Sequence, residues 1–439
     1  MKEKWRNFSA AVRKSNGRVR LSAIIMGFGQ FSYGRRMKGL IYLLVEISIV
    51  YYFIVKGFTD IAGFFTLGTT SGDVWLGIKG DDSVIMLLMG IFAWIVLVVF
   101  LCLYVSNLKD AWMSQKLDEA GKRQPKLREE LAKLMDQKFY MTALALPVLG
   151  VCVFNVLPVV FMILIAFTNY GGDIVPPKLV DWIGVGNFTK IITLSQFAPT
   201  FFKILLWNVV WAITSTILNY FAGLGLALLL NKKCVKGKAI WRAFPVLAYA
   251  IPGFITLVAF KFMFSYGGPI NHMIVASGRS AIGFLDLDAK WSARLIGLLI
   301  NCWISVPSIM LLATGHLANQ DMSLYEAARI DGATRFQQFR KLTLPFMLFV
   351  TTPVLLGQFV GNFNNFGIFY FLRGGLYIEG YFLASDTDLL INWLYNLSID
   401  NNYYCIGAAI SLIIFMFTSL FSLTVYTRSS SYREEDTFQ

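Results

Sequence analysis

Glu326-Ala-Ala-Arg-Ile-Asp-Gly332-Ala-Thr-Arg-Phe-Gln-Gln-Phe-Arg-Lys-Leu-Thr-Leu-Pro345 is a polar stretch between two long apolar runs. Ser323 and Glu326 have the spacing of a capping box, in which a hydroxyl and a carboxylate satisfy free N–H groups at a helix start. Gly332 can adopt the left-handed conformation that ends such a helix. Thr334 and Gln337 repeat the capping-box spacing, and Pro345 stands where the next apolar run begins. The stretch therefore predicts helix, sharp turn, helix at a membrane surface. An ordinary interhelical loop is the alternative that the caps alone leave open.

Composition fixes the membrane setting. The 439 residues are 56% hydrophobic and 15% charged, with 38 phenylalanines. Soluble domains average about 25% charged residues. Apolar runs of about eighteen residues or more imply membrane helices. Eight are expected, at 40–55, 84–105, 140–167, 205–230, 243–264, 295–314, 344–372 and 404–426. Pro147 and Pro158 fall within the third, where proline is tolerated and often bends the helix. Residues 21–33, broken by glycines, read as a short interfacial segment.

The net charge of +13 would suggest nucleic acid in a soluble protein, but here it follows topology. With the N-terminus inside, segments 1–38, 106–138, 231–242, 317–343 and 428–439 hold 29 of the 39 Lys and Arg residues. That bias predicts both termini in the cytoplasm and the 326–345 loop on the same side. Five cysteines without paired spacing and two distant histidines predict neither a metal site nor a disulfide framework. No Gly-x-x-x-x-Gly-Lys-Ser/Thr loop is present, so this chain is not expected to bind ATP or any other cofactor.

Polar residues inside the bilayer are costly and mark pathways. Asn301, Ser305 and Ser308 recur at i, i+4 and i+7 in the sixth span, which puts them on one helix face. Gln358, Asn362 and Asn365 do the same in the seventh, with Asn364 about 100° off that stripe. Carboxamides and hydroxyls match the mixed donors and acceptors of a neutral polyol. Trp303, Phe359, Phe363 and Phe366 are candidates to stack on sugar rings. Interhelical hydrogen bonding is the competing use for such stripes. Glu46, near the middle of the first span, reads as a helix contact or as a proton-coupling carboxylate. The second option keeps an ion-coupled secondary transporter as the alternative function.

Glu326, Ala327, Ala328, Gly332, Leu344 and Pro345 resemble the EAA loop of ABC importer permeases. Residues 140–430, with Asn362-Phe-Asn-Asn365-Phe, resemble the maltose/maltodextrin (MalF-type) permeases most closely. The resemblance implies an all-α integral membrane protein with eight transmembrane helices. Two extra helices precede a six-helix permease core of ABC importer type I. The expected division is 1–38, a basic N-terminus; 39–138, two extra helices and a charged connector; 139–427, the core with its coupling loop at 317–343; and 428–439, a tail. The implied function is the permease subunit of an ATP-driven importer for maltodextrin-like oligosaccharides in a bacterial cell membrane. A permease for a different sugar is a further alternative. Implied partners are a second permease subunit (MalG-type), a cytoplasmic ATPase dimer that uses ATP and Mg, and an extracytoplasmic sugar-binding protein. Implied sugar contacts are Asn301, Ile304, Ser305, Ser308, Gln358, Gly361, Asn362 and Asn365. Implied ATPase-coupling residues are Glu326, Ala327, Ala328, Asp331, Gly332 and Pro345. Two departures matter. The large domain that enteric members carry after the third span is here a loop of about 37 residues. Small residues stand at Ser308 and Gly361, where relatives often have aromatics.

Overall fold

The computed structural model describes residues 15–72, 79–137, 139–232 and 234–428. The expected tail at 428–439 lies almost entirely outside these residues. Among them there are helices and two isolated β-bridges, and no strand ladder. The chain divides into two compact units, Met1–Ile183 and Gly184–Gln439.

In the first unit, short helices α1 (Gly17–Leu21) and α2 (Phe28–Ser32) precede two membrane-length helices, α3 (Arg36–Thr66) and α4 (Ser83–Glu119). Asp82 starts α4 by accepting from the Val84 and Ile85 amides, which satisfies two of the four donors a helix start leaves free. α4 runs on past the expected end of the span into the charged connector. The connector continues as α5 (Leu127–Met135), and α6 (Thr142–Ile165) is the third span. The glycine-broken segment is tied to α4 by one buried side chain. Asn107 donates to the Ser22 carbonyl and accepts from the Gly27 amide and from Gln30 Nε2. Glu46 accepts from the Met26 amide at 2.9 Å. That is the helix-contact reading of this carboxylate.

The second unit comprises α7 (Gly186–Thr193), α8 (Ala198–Asn231), α9 (Lys238–Ala250), α10 (Gly253–Met263), α11 (Pro269–Ala276) and α12 (Lys290–Ala318). α13 (Met322–Ile330) follows, then α14 (Arg335–Gln338), which passes through a π turn (Phe339–Thr343) into α15 (Leu344–Phe363). α16 (Gly367–Arg373), α17 (Leu390–Tyr395) and α18 (Tyr404–Arg428) complete it. Among the described residues seven helices are long and apolar enough to cross a membrane, and eight if the bent pair α9–α10 counts as one span. All eight expected spans thus have a counterpart. The fifth is corrected in shape, because α9 and α10 meet at 93°. Pro252 has no N–H to continue the helix, and a residue before proline is driven out of the helical region. Ile251 accordingly sits at φ −81°, ψ 132°.

α8 and α12 pack closely because Gly223 has no side chain. A Cβ there would lie 2.6 Å from the Cβ of Ile309, so the pair uses the small-residue contact of membrane helices. Trp207, Trp211, Ile300 and Phe369 form one buried cluster, and Tyr220, Leu224, Met310 and Met347 another.

The connection from α16 to α18 folds inward on polar groups. Arg373, 1% exposed, pairs with Asp386 at 2.7 Å and donates to the Asp286 and Leu287 carbonyls. Breaking such a buried pair typically costs about 3–5 kcal/mol. Asp388, 4% exposed, accepts from Ser385 Oγ, the Ser385 amide and Asn396 Nδ2. Burial outweighs these bonds and raises its carboxyl to about 6 from 3.8. A raised folded-state value means that protonation favours the fold. The stabilisation is full below pH 3.8 and is lost as pH rises through about 6. Hydrogen-exchange protection of 385–397, corrected for intrinsic rates, should therefore be higher at about pH 5 than at about pH 7.5. Asp388→Asn should flatten that dependence; an unchanged pH dependence would refute the assignment.

Candidate functional site

The seventh span breaks where the polar stripe lies. α15 ends at Phe363, and Asn364, Asn365 and Phe366 form a non-helical step before α16. A break inside a bilayer frees carbonyls that no water can satisfy. Side chains take them here. Trp211 Nε1 donates to the Asn362 carbonyl, Asn208 Nδ2 to the Phe363 carbonyl, and Asn392 Nδ2 to the Phe366 carbonyl.

The two expected stripes meet across α12 and α15. Asn301 Nδ2 donates to Asn362 Oδ1 at 3.1 Å, and Asn362 Nδ2 donates to Thr216 Oγ1 at 3.1 Å. Beside this network is a cleft of about 280 Å³. Asn301, Ile304, Ser305, Gln358, Gly361, Asn362 and Asn365 line it, and among the described residues no charged one does. Of the eight expected contacts only Ser308 is absent from the wall; its hydroxyl donates to the Ser305 carbonyl at 2.8 Å. Asn365 reaches the cleft from the step rather than from the helix, with Oδ1 accepting from the Ile368 amide. Asn364 lies on a separate groove with Val360 and Ser411. A Cβ on Gly361 would meet nothing within 4 Å.

The expected stacking rings are corrected. Phe359 and Phe363 are buried and stack on Phe421 and Phe417, with centroids 4.1 and 5.1 Å apart. Phe366 stacks on Tyr370, and Trp303 meets Phe260 edge-on. None of the four lines the cleft.

Four lining residues, Asn219, Leu257, Gly367 and Ile368, were not expected from the sequence, and of these Asn219 is the polar one. Asn219 is fully buried on the cleft wall, and neither end of its carboxamide has a partner among the described residues. The Ser215 hydroxyl, one turn away, and Gln358 Oε1 are likewise unpaired there. Asn208, Ser215 and Asn219 recur at i, i+7 and i+11, a third polar stripe on one face of α8 that the same periodicity argument would have found.

The 326–345 stretch folds as helix, turn, helix. Its first cap is corrected: Asp321, not Ser323, starts α13 and accepts from the Ser323 amide at 2.9 Å. At the other end Gly332 has φ +77°. Ala333 N–H reaches the Ala328 carbonyl and Gly332 N–H the Arg329 carbonyl, which together make a Schellman motif. Thr334 and Gln337 form the expected capping box. Tyr325 Oη pins α13 to the following helix through Thr343 Oγ1 at 2.8 Å. Glu326 and Ala327 face solvent, as do the large side chains of Met322, Leu324, Ile330 (86% exposed) and Phe336.

Residues 219–431 match the family described as binding-protein-dependent transport system inner membrane component. The galactooligosaccharides transport system permease protein GanP of Bacillus subtilis is 35% identical over 94% of this chain and 98% of its own length. The maltodextrin transport system permease protein MalC of Streptococcus pneumoniae is 33% identical over 97% and 98%. In structure, the chain is similar to a bacterial ABC transporter involved in import of the acidic polysaccharide alginate. That likeness has TM-score 0.54 and 21% identity over 68% of this chain and 97% of the other, and it speaks for the fold alone. The exposed hairpin, the polar cleft and these near full-length matches agree: the chain belongs to the inner-membrane permeases of binding-protein-dependent ABC transport systems, in the branch that holds the maltodextrin permeases, and it is a transport subunit rather than an enzyme.

Proposed function

We propose that this permease passes a neutral, maltodextrin-like oligosaccharide across a bacterial cell membrane, driven by ATP hydrolysis in a partner. The observation that carries the reading is the cleft, lined by five carboxamides and the Ser305 hydroxyl beside Leu257, Ile304, Ile368 and two glycines, with no charged side chain among the described residues. Sugar hydroxyls both donate and accept, and these groups match either role. The contacts we assign are Asn219, Asn301, Ser305, Gln358, Asn362 and Asn365, with Ile304 and Gly361 shaping the wall. At 280 Å³ the cleft is at the small end of ligand sites, which run from about 300 Å³ upward. A second permease subunit would complete it, and an extracytoplasmic binding protein would deliver the sugar.

The coupling hairpin would dock on a cytoplasmic ATPase dimer, which binds the ATP and Mg. Glu326, Ala327, Ala328 and Asp331 present the docking face, and Gly332 makes the turn. Thr343 and Pro345 lie in the helix that carries the motion inward. From Arg335 to Asn362 that helix rises about 40 Å, so a shift of the hairpin reaches the cleft without an intervening loop. Nucleotide-dependent movement of the hairpin would thereby bias the spans between inward-open and outward-open states.

A galactooligosaccharide is the second reading, favoured by the 35% identity to GanP. A sugar panel on the reconstituted transporter separates the two. Maltotriose and longer α-glucans should stimulate ATPase activity, and charged uronate chains should not. Stimulation by galactooligosaccharides alone would replace the first reading with the second.

The charge bias supports cytoplasmic termini. In a chain freed of native cysteines, an impermeant thiol reagent applied to whole cells should label Glu379→Cys and spare Lys236→Cys. Both positions are exposed. The reverse pattern would overturn this orientation.

Asn219 gives the sharpest test of the cleft. Its carboxamide has no internal partner among the described residues, so Asn219→Ala removes no bond that holds helices together. It should weaken sugar-dependent uptake about tenfold to a hundredfold, the worth of a lost buried hydrogen bond of about 1–3 kcal/mol. The amount of assembled transporter should not change. Asn362→Ala should lower both, because Asn362 also bridges Asn301 and Thr216. Asn364→Ala should do little. Equal uptake defects for Asn219→Ala and Asn364→Ala would refute the site.

A further inference from the structure

A second concave site lies in the first unit, between the start of α3 and the segment joining α4 to α5. It measures about 340 Å³, and its wall carries Arg35, Arg36, Lys38, Arg123 and Lys126 against one carboxylate, Glu130. An internal network accounts for two of the cations. Lys38 Nζ is 2.8 Å from Asp110 and 2.7 Å from Glu130, and Arg35 contacts the same two carboxylates. That group of four is neutral. Arg36, Arg123 and Lys126 are left over. Arg123 stands 3.7 Å from Glu129, and both side chains are about half exposed or more, which makes the pair weak. Among the described residues Arg36 and Lys126 belong to no ion pair. Arg35, 7% exposed, also has an Nε–H without an acceptor among them. The cleft is therefore a concave surface with an uncompensated positive charge and spare donors.

Its position indicates the ligand. Arg36 is the first residue of α3, where the first apolar run begins, and 123–126 lie beyond the polar extension of α4 that follows the second apolar run. The cleft thus sits on the aqueous side of the hydrocarbon edge, where lipid head groups lie. Met37, on its wall, is 59% exposed, and Leu40, Ile41 and Leu44 continue the exposed surface along α3. Positions 37, 40, 41 and 44 share one helix face. We propose that the cleft binds the phosphate of an anionic phospholipid, whose acyl chain lies along this face. Planar guanidinium groups suit paired hydrogen bonds to phosphate oxygens, and basic pockets between membrane helices recognise anionic head groups. The bound lipid would clamp the entry of α3 to the α4–α5 connector.

The assembled transporter, extracted into a mixture of phosphatidylglycerol and phosphatidylcholine, provides the test. Native mass spectrometry counts the lipids that the full-length chain retains. Wild type should prefer phosphatidylglycerol. Combined Arg36→Gln, Arg123→Gln and Lys126→Gln should reduce that preference about tenfold, whereas Lys122→Gln with Arg128→Gln, exposed cations off the wall, should leave it intact. All five are surface positions, so folding is not at stake. Equal retention by wild type and the triple variant would overturn the proposal, and so would equal loss in the control. Displacement by inorganic phosphate at millimolar concentration would assign the cleft to a free anion and overturn the lipid.

Discussion

Inside a bilayer every backbone carbonyl must find a donor in the protein. The second unit is arranged around one place where the helix itself cannot provide it. The seventh span opens between Phe363 and Gly367, and Trp211, Asn208 and Asn392 take the released carbonyls. Asn208 also accepts from the Leu390 amide, so one carboxamide joins α8, the break and the start of α17. The break in turn lets Asn365 turn toward the cleft while Asn362 stays in the helix. The cleft is polar because its frame has to be.

Two kinds of polar group result, and they do different work. Asn301, Asn362 and Thr216 are already bonded to one another and hold the spans in register. Asn219 and Gln358 keep unpaired atoms on the wall of the same cleft. Buried polar atoms without partners are unfavourable, so these are the groups on the wall with hydrogen-bonding capacity to spare. The hairpin at 321–334 is built on the opposite principle. Its backbone is satisfied locally by Asp321, by the Schellman bonds and by the Thr334 box. Its large apolar side chains Met322, Leu324 and Ile330, with Phe336 just beyond, are left exposed.

Much of this was legible in the sequence because it follows local rules. Span number followed from apolar runs, the turn at Gly332 from glycine's freedom at positive φ, and seven of the eleven residues on the cleft wall from helical phase joined to family resemblance. The bend at Pro252 was not expected, although Ile251-Pro252-Gly253 carries both a missing donor and a restricted neighbour. Other features depend on tertiary context. Asp321 and Ser323 are both good caps, and only the actual helix start chooses between them. Phe359 and Phe363 are one turn apart, but whether their rings face a sugar or α18 depends on where α18 packs. Asn219 belongs to the Asn208, Ser215, Asn219 stripe, whose phase is visible in the sequence, but only the packing of α8 decides which of the three reaches the cleft.

The π turn at 339–343 has a consequence for inheritance. A π turn amounts to one extra residue in an α-helix, and each residue advances the helix by about 100°. The hairpin side of the helix and the Gln358–Asn362 face are therefore phased by that one residue. Point substitutions along this segment leave the phase intact, whereas a single-codon deletion would swing one end about a quarter-turn relative to the other. Side chains on the cleft wall and on the hairpin can thus change independently of one another, whereas the number of residues between them cannot change without rotating one against the other.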